Sequence, residues 1–271
     1  MSRTNTAEPE LLERPHRSFF QRHERLVLGG LSVALALIVW QWLWSSGKIS
    51  PLFFTGPSAV ASRFAIEWRD GRLKQDMAYS GLNFVLGLGM AVSAGVICGV
   101  LIGWYRRLGM ICEPFLTALY STPRVALVPL VLIWFGTRMW SKVFIVFINA
   151  FFPVLINTVG GVRAIDADLV RAARAFRASD WQLFTTVVIP GSVPFILTGV
   201  RQAVALGLIG VVVGEMFGGS EGIGYMVSYG GQNLQTDTMF LGVVIIAGAG
   251  IILTWLAEQL ERHFSRWRPE R

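Results

Sequence analysis

Six apolar runs, at 26–44, 79–104, 111–135, 143–159, 187–216 and 239–257, constrain this chain more than any other feature. A helix of about 20 apolar residues crosses a bilayer core about 30 Å thick, and these runs approach or exceed that length. In hydrocarbon every backbone N–H and C=O needs a protein partner, which favours helices. The third run is interrupted by Pro123-Arg124, and a proline inside a helical pattern ends or kinks it. The expected fold is all-α, a polytopic membrane bundle of about six transmembrane helices. One membrane domain, 26–260, lies between an N-terminal tail, 1–25, and a C-terminal tail, 261–271. With 53% hydrophobic and 15% charged residues, the chain is too apolar for an ordinary soluble domain. Arginines precede the first run, as in a signal peptide. It is too long for a signal h-region, and no small-x-small cleavage site follows at 45–48, so it is read as a retained span.

The formal charge of +7 sorts by side of the membrane. With both ends cytoplasmic, the inner set is Arg3, Arg14, Arg17, Arg22, Arg25, Arg106, Arg107, Arg163, Arg171, Arg174, Arg177, Arg262, Arg266, Arg268 and Arg271. The outer set is smaller: Lys48, Arg63, Arg69, Arg72, Lys74, Arg138 and Lys142. That bias agrees with the positive-inside rule and makes a nucleic-acid partner unnecessary.

Motifs for chemistry are missing. Cys98 and Cys112 have neither metal nor disulfide spacing, and His16, His23 and His263 all fall in the tails. Gly47-Lys48 lacks the upstream glycine of a phosphate-binding loop. The run 218–224, GGSEGIG, follows a membrane helix and reads as a turn outside the membrane. The chain therefore carries no ATPase of its own, and the sequence holds no enzyme signature and no metal site.

Several segments carry organisation instead. Thr55-Gly56-Pro57-Ser58 is a helix start, with Pro57 at the first helical position. Val60, Phe64 and Trp68 then recur opposite Arg63, Glu67 and Asp70. Two readings fit: a helix lying on the outer membrane surface, or a connector packed on neighbouring loops. Gly87, Ala91, Gly95, Gly99 and Gly103 form a side-chain-poor stripe at intervals of four, and Gly199, Ala203 and Gly207 form a second. Such stripes let helices approach closely, either within the chain or at a subunit interface. Arg201 lies eleven residues beyond Pro190, about 16 Å at helical rise, and is expected inside the membrane. It either pairs locally or faces the solute pathway and favours anions, and Arg124, expected closer to the inner surface, admits the same two readings.

The stretch preceding the fifth run is polar and helical. Asp166 or Asp168 can cap a helix through 169–176, Ser179 and Gln182 make a capping box for the next, and the chain turns between them. Such a hairpin either docks a partner from the water side or ties the bundle together. Its Arg171, Ala172, Ala173, Arg174, Phe176, Arg177, Ala178, Ser179 and Asp180 are the candidate docking residues.

Residues 171–190 resemble the EAA loop of binding-protein-dependent ABC importer permeases, with Ala172-Ala173 and Val188-Ile189-Pro190 in matching places. The run from Pro123 to Leu130, Trp134-Phe135-Gly136, Phe151-Phe152-Pro153, Asn157-Thr158, Glu215-Met216 and the 222–225 segment are similar to the branch importing sulfonates, taurine and nitrate. The resemblance runs from Pro57 to Trp267. It departs from the motif at Arg171, in place of glutamate, and at Arg177, in place of glycine, which implies altered partner contacts or a less abrupt turn. A non-coupling subunit is the alternative.

The resemblance implies an inner-membrane permease subunit with a cytoplasmic coupling loop at 163–190. Two cytoplasmic ATPase subunits would bind ATP and Mg, a periplasmic binding protein would deliver the solute, and a second copy or a related permease would complete the pathway. A rival, the ion-driven secondary transporter, calls for related halves and intramembrane acids. No repeat and no clear buried acid is evident, Glu215 lying near the outer end of its span.

Overall fold

The computed structural model describes residues 19–265, with side-chain surroundings for 27–263. Both chain ends, with the side chains of His16, His23, Arg3, Arg14, Arg17, Arg22, Arg25, Arg266, Arg268 and Arg271, lie outside those residues. Among the described residues every regular element is helical. The chain divides into two units, Met1–Ile49 and Ser50–Arg271. The first contains α1, Phe19–Ser45, whose 27–45 part is long and apolar enough to cross a membrane.

The second unit holds the rest: α2 (Pro57–Arg69), α3 (Arg72–Trp104), α4 (Arg106–Ser121), α5 (Val128–Phe135), α6 (Met139–Arg163), α7 (Ala167–Ala175), α8 (Asp180–Leu183), α9 (Ile189–Gly218), α10 (Ile223–Gln232) and α11 (Thr236–Ser265). Of these, α3, α6, α11 and the continuous stretch from Asp180 to Gly218 meet the length and hydropathy of a span. The third apolar run is broken. α4 and the Arg124–Phe135 segment meet at 89°. Thr122 is extended, as a residue before proline prefers, and a short 3-10 turn over Arg124–Leu127 leads into α5. Neither piece alone reaches the length of a full span, so this run crosses only if both pieces together form one span.

The core is a seam of small residues. A Cβ built on Gly87, Gly95, Gly99 or Gly103 would come within 2.5, 2.9, 2.6 and 2.7 Å of Val146, Val154, Thr158 and Val162. Each pair has the same offset in sequence, so α3 and α6 run parallel and in register. Ala91 and Ala150, both fully buried, share one cluster midway along. The opposite side of α6 receives α9 antiparallel: Gly199 meets Asn157 and Pro153, Gly210 meets Val146, and Gly214 meets Lys142. Where lipid is as apolar as the partner helix, close van der Waals packing of this kind holds helices together.

α2 begins at Pro57 with Gly56 as N-cap. Each of its two stripes mixes packed and exposed residues. Val60 and Glu67 are buried while Phe64 and Trp68, stacked at 5.6 Å, are exposed. Arg63 bonds Glu67 at 3.0 Å and lies 3.9 Å from Asp237 of α11. Of the polar stripe, Arg63 and Glu67 turn inward to pair with each other and with α11, while Asp70 is exposed. One segment escaped the sequence reading: α10, from Ile223 to Gln232, which the apolar runs skip.

Candidate functional site

At one end of the second unit the chain leaves α6 and builds a two-helix hairpin before entering α9. Asp166 starts α7 by accepting the Asp168 N–H at 2.8 Å. α7 stops with two crossed bonds: Arg177 N–H to the Arg174 carbonyl at 2.9 Å and Ala178 N–H to the Ala173 carbonyl at 3.1 Å. This pattern needs a left-handed residue between helix and turn, a place usually taken by glycine. Arg177 occupies it with φ 59°. The turn is thus as abrupt as a glycine would make it, so of the two alternatives a less abrupt turn does not hold, and the arginine bears a left-handed steric cost of roughly 1–2 kcal/mol.

Ser179 then caps α8 in a complete capping box, its hydroxyl accepting the Gln182 N–H at 3.2 Å while the Gln182 side chain accepts the Ser179 N–H at 2.9 Å. Arg171 pairs with Asp168 within α7, and Arg174 reaches across the turn to Asp180 at 3.2 Å. Both pairs are well exposed, so their contribution is small in water. Ala172 and Ala175 leave one side of α7 without bulk. Phe176, at 88% exposed, and Trp181, at 72%, stand out from the turn.

The hairpin enters α9 through one π turn, Phe184–Val188. Pro190 lacks an N–H and its ring crowds the preceding turn, so a widened turn just before it keeps the helix continuous. Leu183 and Val188 are buried, and Trp104 at the end of α3 meets Phe184 edge-on at 5.7 Å. The base of the hairpin is therefore fastened to the helical core.

The sequence reading missed a polar knot at the far end. Glu215 is fully buried, and its carboxyl accepts from Ser80 at 2.8 Å, Asn83 at 3.1 Å and the Gly224 N–H at 2.9 Å. Asp76 accepts the Gly222 N–H at 2.7 Å, and Ser80 accepts the Ile223 N–H at 2.9 Å. Lys142, also buried, donates to the carbonyls of Thr137 and Gly218. The statement that no acid is clearly buried is thereby corrected. A signal existed: Asp76, Ser80 and Asn83 extend the Gly87 stripe at helical spacing. Lys142, assigned to an outer loop, is inside the fold for the same reason: two carbonyl partners hold it there.

The two arginines placed within spans differ. Arg201 lies 3.2 Å from Glu261 near the end of α11, and Glu261 also accepts from Thr198 at 2.7 Å. Its charge is paired locally. Arg124 lies at the 89° break, its guanidinium 5.1 Å from the Tyr120 ring centre and 5.4 Å from that of Phe152.

Spanning helices, a bent helix pair and a capped hairpin make up the fold, and sequence comparison gives the family. Residues 91–266 match the family described as the binding-protein-dependent transport system inner membrane component, and the chain belongs to it. It is thus an ABC importer permease, a multi-pass inner-membrane transport subunit without catalytic function. Among its relatives, the "Putative aliphatic sulfonates transport permease protein SsuC" of Escherichia coli is 34% identical over 85% of this chain and 88% of its own length. The Bacillus subtilis protein of the same name is 32% identical over 89% of this chain and 87% of its own. The taurine transport system permease protein TauC of Escherichia coli is 31% identical, with 92% of each chain covered. A crystallised amino acid ABC transporter shares the fold, with a TM-score of 0.54 at 18% identity over 75% of this chain and 97% of that one.

Proposed function

We propose that this chain, with a second copy or a related permease, forms the pathway for a small anion such as a sulfonate, taurine or nitrate. A periplasmic binding protein delivers the solute. Two cytoplasmic ATPase subunits, holding ATP and Mg, grip the α7–α8 hairpin around Ala172, Ala173, Phe176 and Arg177. The carrying observation is the hairpin itself: capped at both starts, sharply turned and displaying Phe176 and Trp181. Relatives named for aliphatic sulfonates and taurine support the cargo. The arginine bias supports cytoplasmic termini, with the hairpin on the same side. Closure of the ATPases on ATP would switch the pathway, because nucleotide and solute favour different states of the assembly.

Within the family, membership outweighs the secondary-transporter rival despite the buried Glu215. The test uses two variants of the hairpin. Ala173→Pro removes an N–H inside α7 and adds a clash worth about 3 kcal/mol. Arg174→Glu turns the Arg174–Asp180 pair into a repulsion. Uptake into vesicles holding the whole transporter should fall to background in both, while solute capture by the binding protein is unchanged. Native uptake in both variants would remove the coupling role of the hairpin.

A further inference from the structure

Arg124, partly buried, stands at mid-depth along α6. Phe152, against which its guanidinium lies, is eleven residues before the end of α6 and thirteen after its start, so about 16 and 20 Å from the two ends. An ionisable group at that depth needs polar company or water. Among the described residues Arg124 has no ion pair, and its buried Nε has no hydrogen-bond partner. What it has is two rings. Tyr120 and Phe152 lie 6.4 Å apart at 61° and attract the cation by their faces. They steady the guanidinium yet accept nothing along its edge, where the N–H donors point.

The backbone agrees. Thr122 and Pro123 are extended between two helices, and non-helical backbone at membrane depth survives where protein covers it or where it lines a wet path. The competing cations are occupied, Arg201 by Glu261 and Lys142 by two carbonyls.

We propose that Arg124, steadied by Tyr120 and Phe152 at the break between α4 and α5, is an oxyanion-recognition site within the permease. It would take a sulfonate or similar group by a two-pronged guanidinium contact. This rests on the importer reading above and adds a second check of cargo charge, after the binding protein.

The experiment uses the complete transporter in vesicles, with labelled ethanesulfonate as the probe. Arg124→Gln should slow uptake about tenfold or more, and Arg124→Lys should fall between, because an ammonium keeps the charge without the fork. ATP hydrolysis stimulated by loaded binding protein should stay within about twofold of native in both variants, as expected when only a cargo contact is lost. Uptake by Arg124→Gln at the native rate would overturn the site. So would loss of stimulated hydrolysis in Arg124→Lys, which would make Arg124 a contact that holds the assembly together. A native transporter that hydrolyses ATP on demand but moves no ethanesulfonate, taurine or nitrate would instead sink the cargo reading, and this site with it.

Discussion

At the scale of single residues, the far-end knot depends on two glycines for different reasons. Gly222 has φ 103° and lies so close to Glu215 that a Cβ would sit 2.4 Å from the carboxyl. Gly224 brings its N–H to the same group. Gly222→Ala should therefore destabilise the protein by about 2–4 kcal/mol, through backbone strain and displacement of a buried acid. Gly231→Ala is the control, since a Cβ there meets only the Met239 sulfur at 3.6 Å. Thermal melting of the detergent-solubilised protein reads the difference, and equal midpoints would refute the knot as a stabilising feature. Arg177 illustrates the reverse case, a left-handed position filled without glycine. Sequence could announce the turn, through Asp166, Ser179 and Gln182, because caps act locally. It could not announce Glu215, because the partners that make burial tolerable come from α3 and from the turn that starts α10.

At the scale of elements, the stripe from Gly87 to Gly103 was legible, but its partner was not. Spacing reveals that one side of a helix is bare. The matching ridge on α6 is built from Val146, Val154, Thr158 and Val162, residues ordinary for any apolar helix. The same limit applies to α2, where pairing of Arg63 with Glu67 and Asp237 draws part of the charged stripe inward. The seam makes a sharp prediction. Gly99→Leu should cost about 1–3 kcal/mol by overpacking against Thr158. Gly89→Leu, with nothing within 4 Å, should be neutral to within about 0.5 kcal/mol. Yield and melting point of the two purified variants decide it, and matching losses would show that the α3–α6 contact is not tight.

At the scale of the whole molecule, α6 is clamped between a parallel α3 and an antiparallel α9, so the three are expected to move as one body. Spin labels at Ile97 on α3 and Ile209 on α9, both exposed, report on that body when labelled subunits are diluted among unlabelled ones. Their separation should change by no more than about 2 Å between nucleotide-free and ATP-trapped transporter, and a shift of a full turn, about 5 Å, would mean that the helices slide. The span pattern and the hairpin could be read ahead of the structure because bilayer thickness and helix caps leave strong marks in sequence. The α3 side of the knot left its spacing in the sequence, but its meeting with Glu215, α10 and the packing order did not, being products of the closed fold. The turn above the knot has one more consequence. It is moored through main-chain N–H groups at 222–224, while Ser220 and Glu221 beside them point outward. Side chains at those two positions can therefore change without loosening the anchorage beneath.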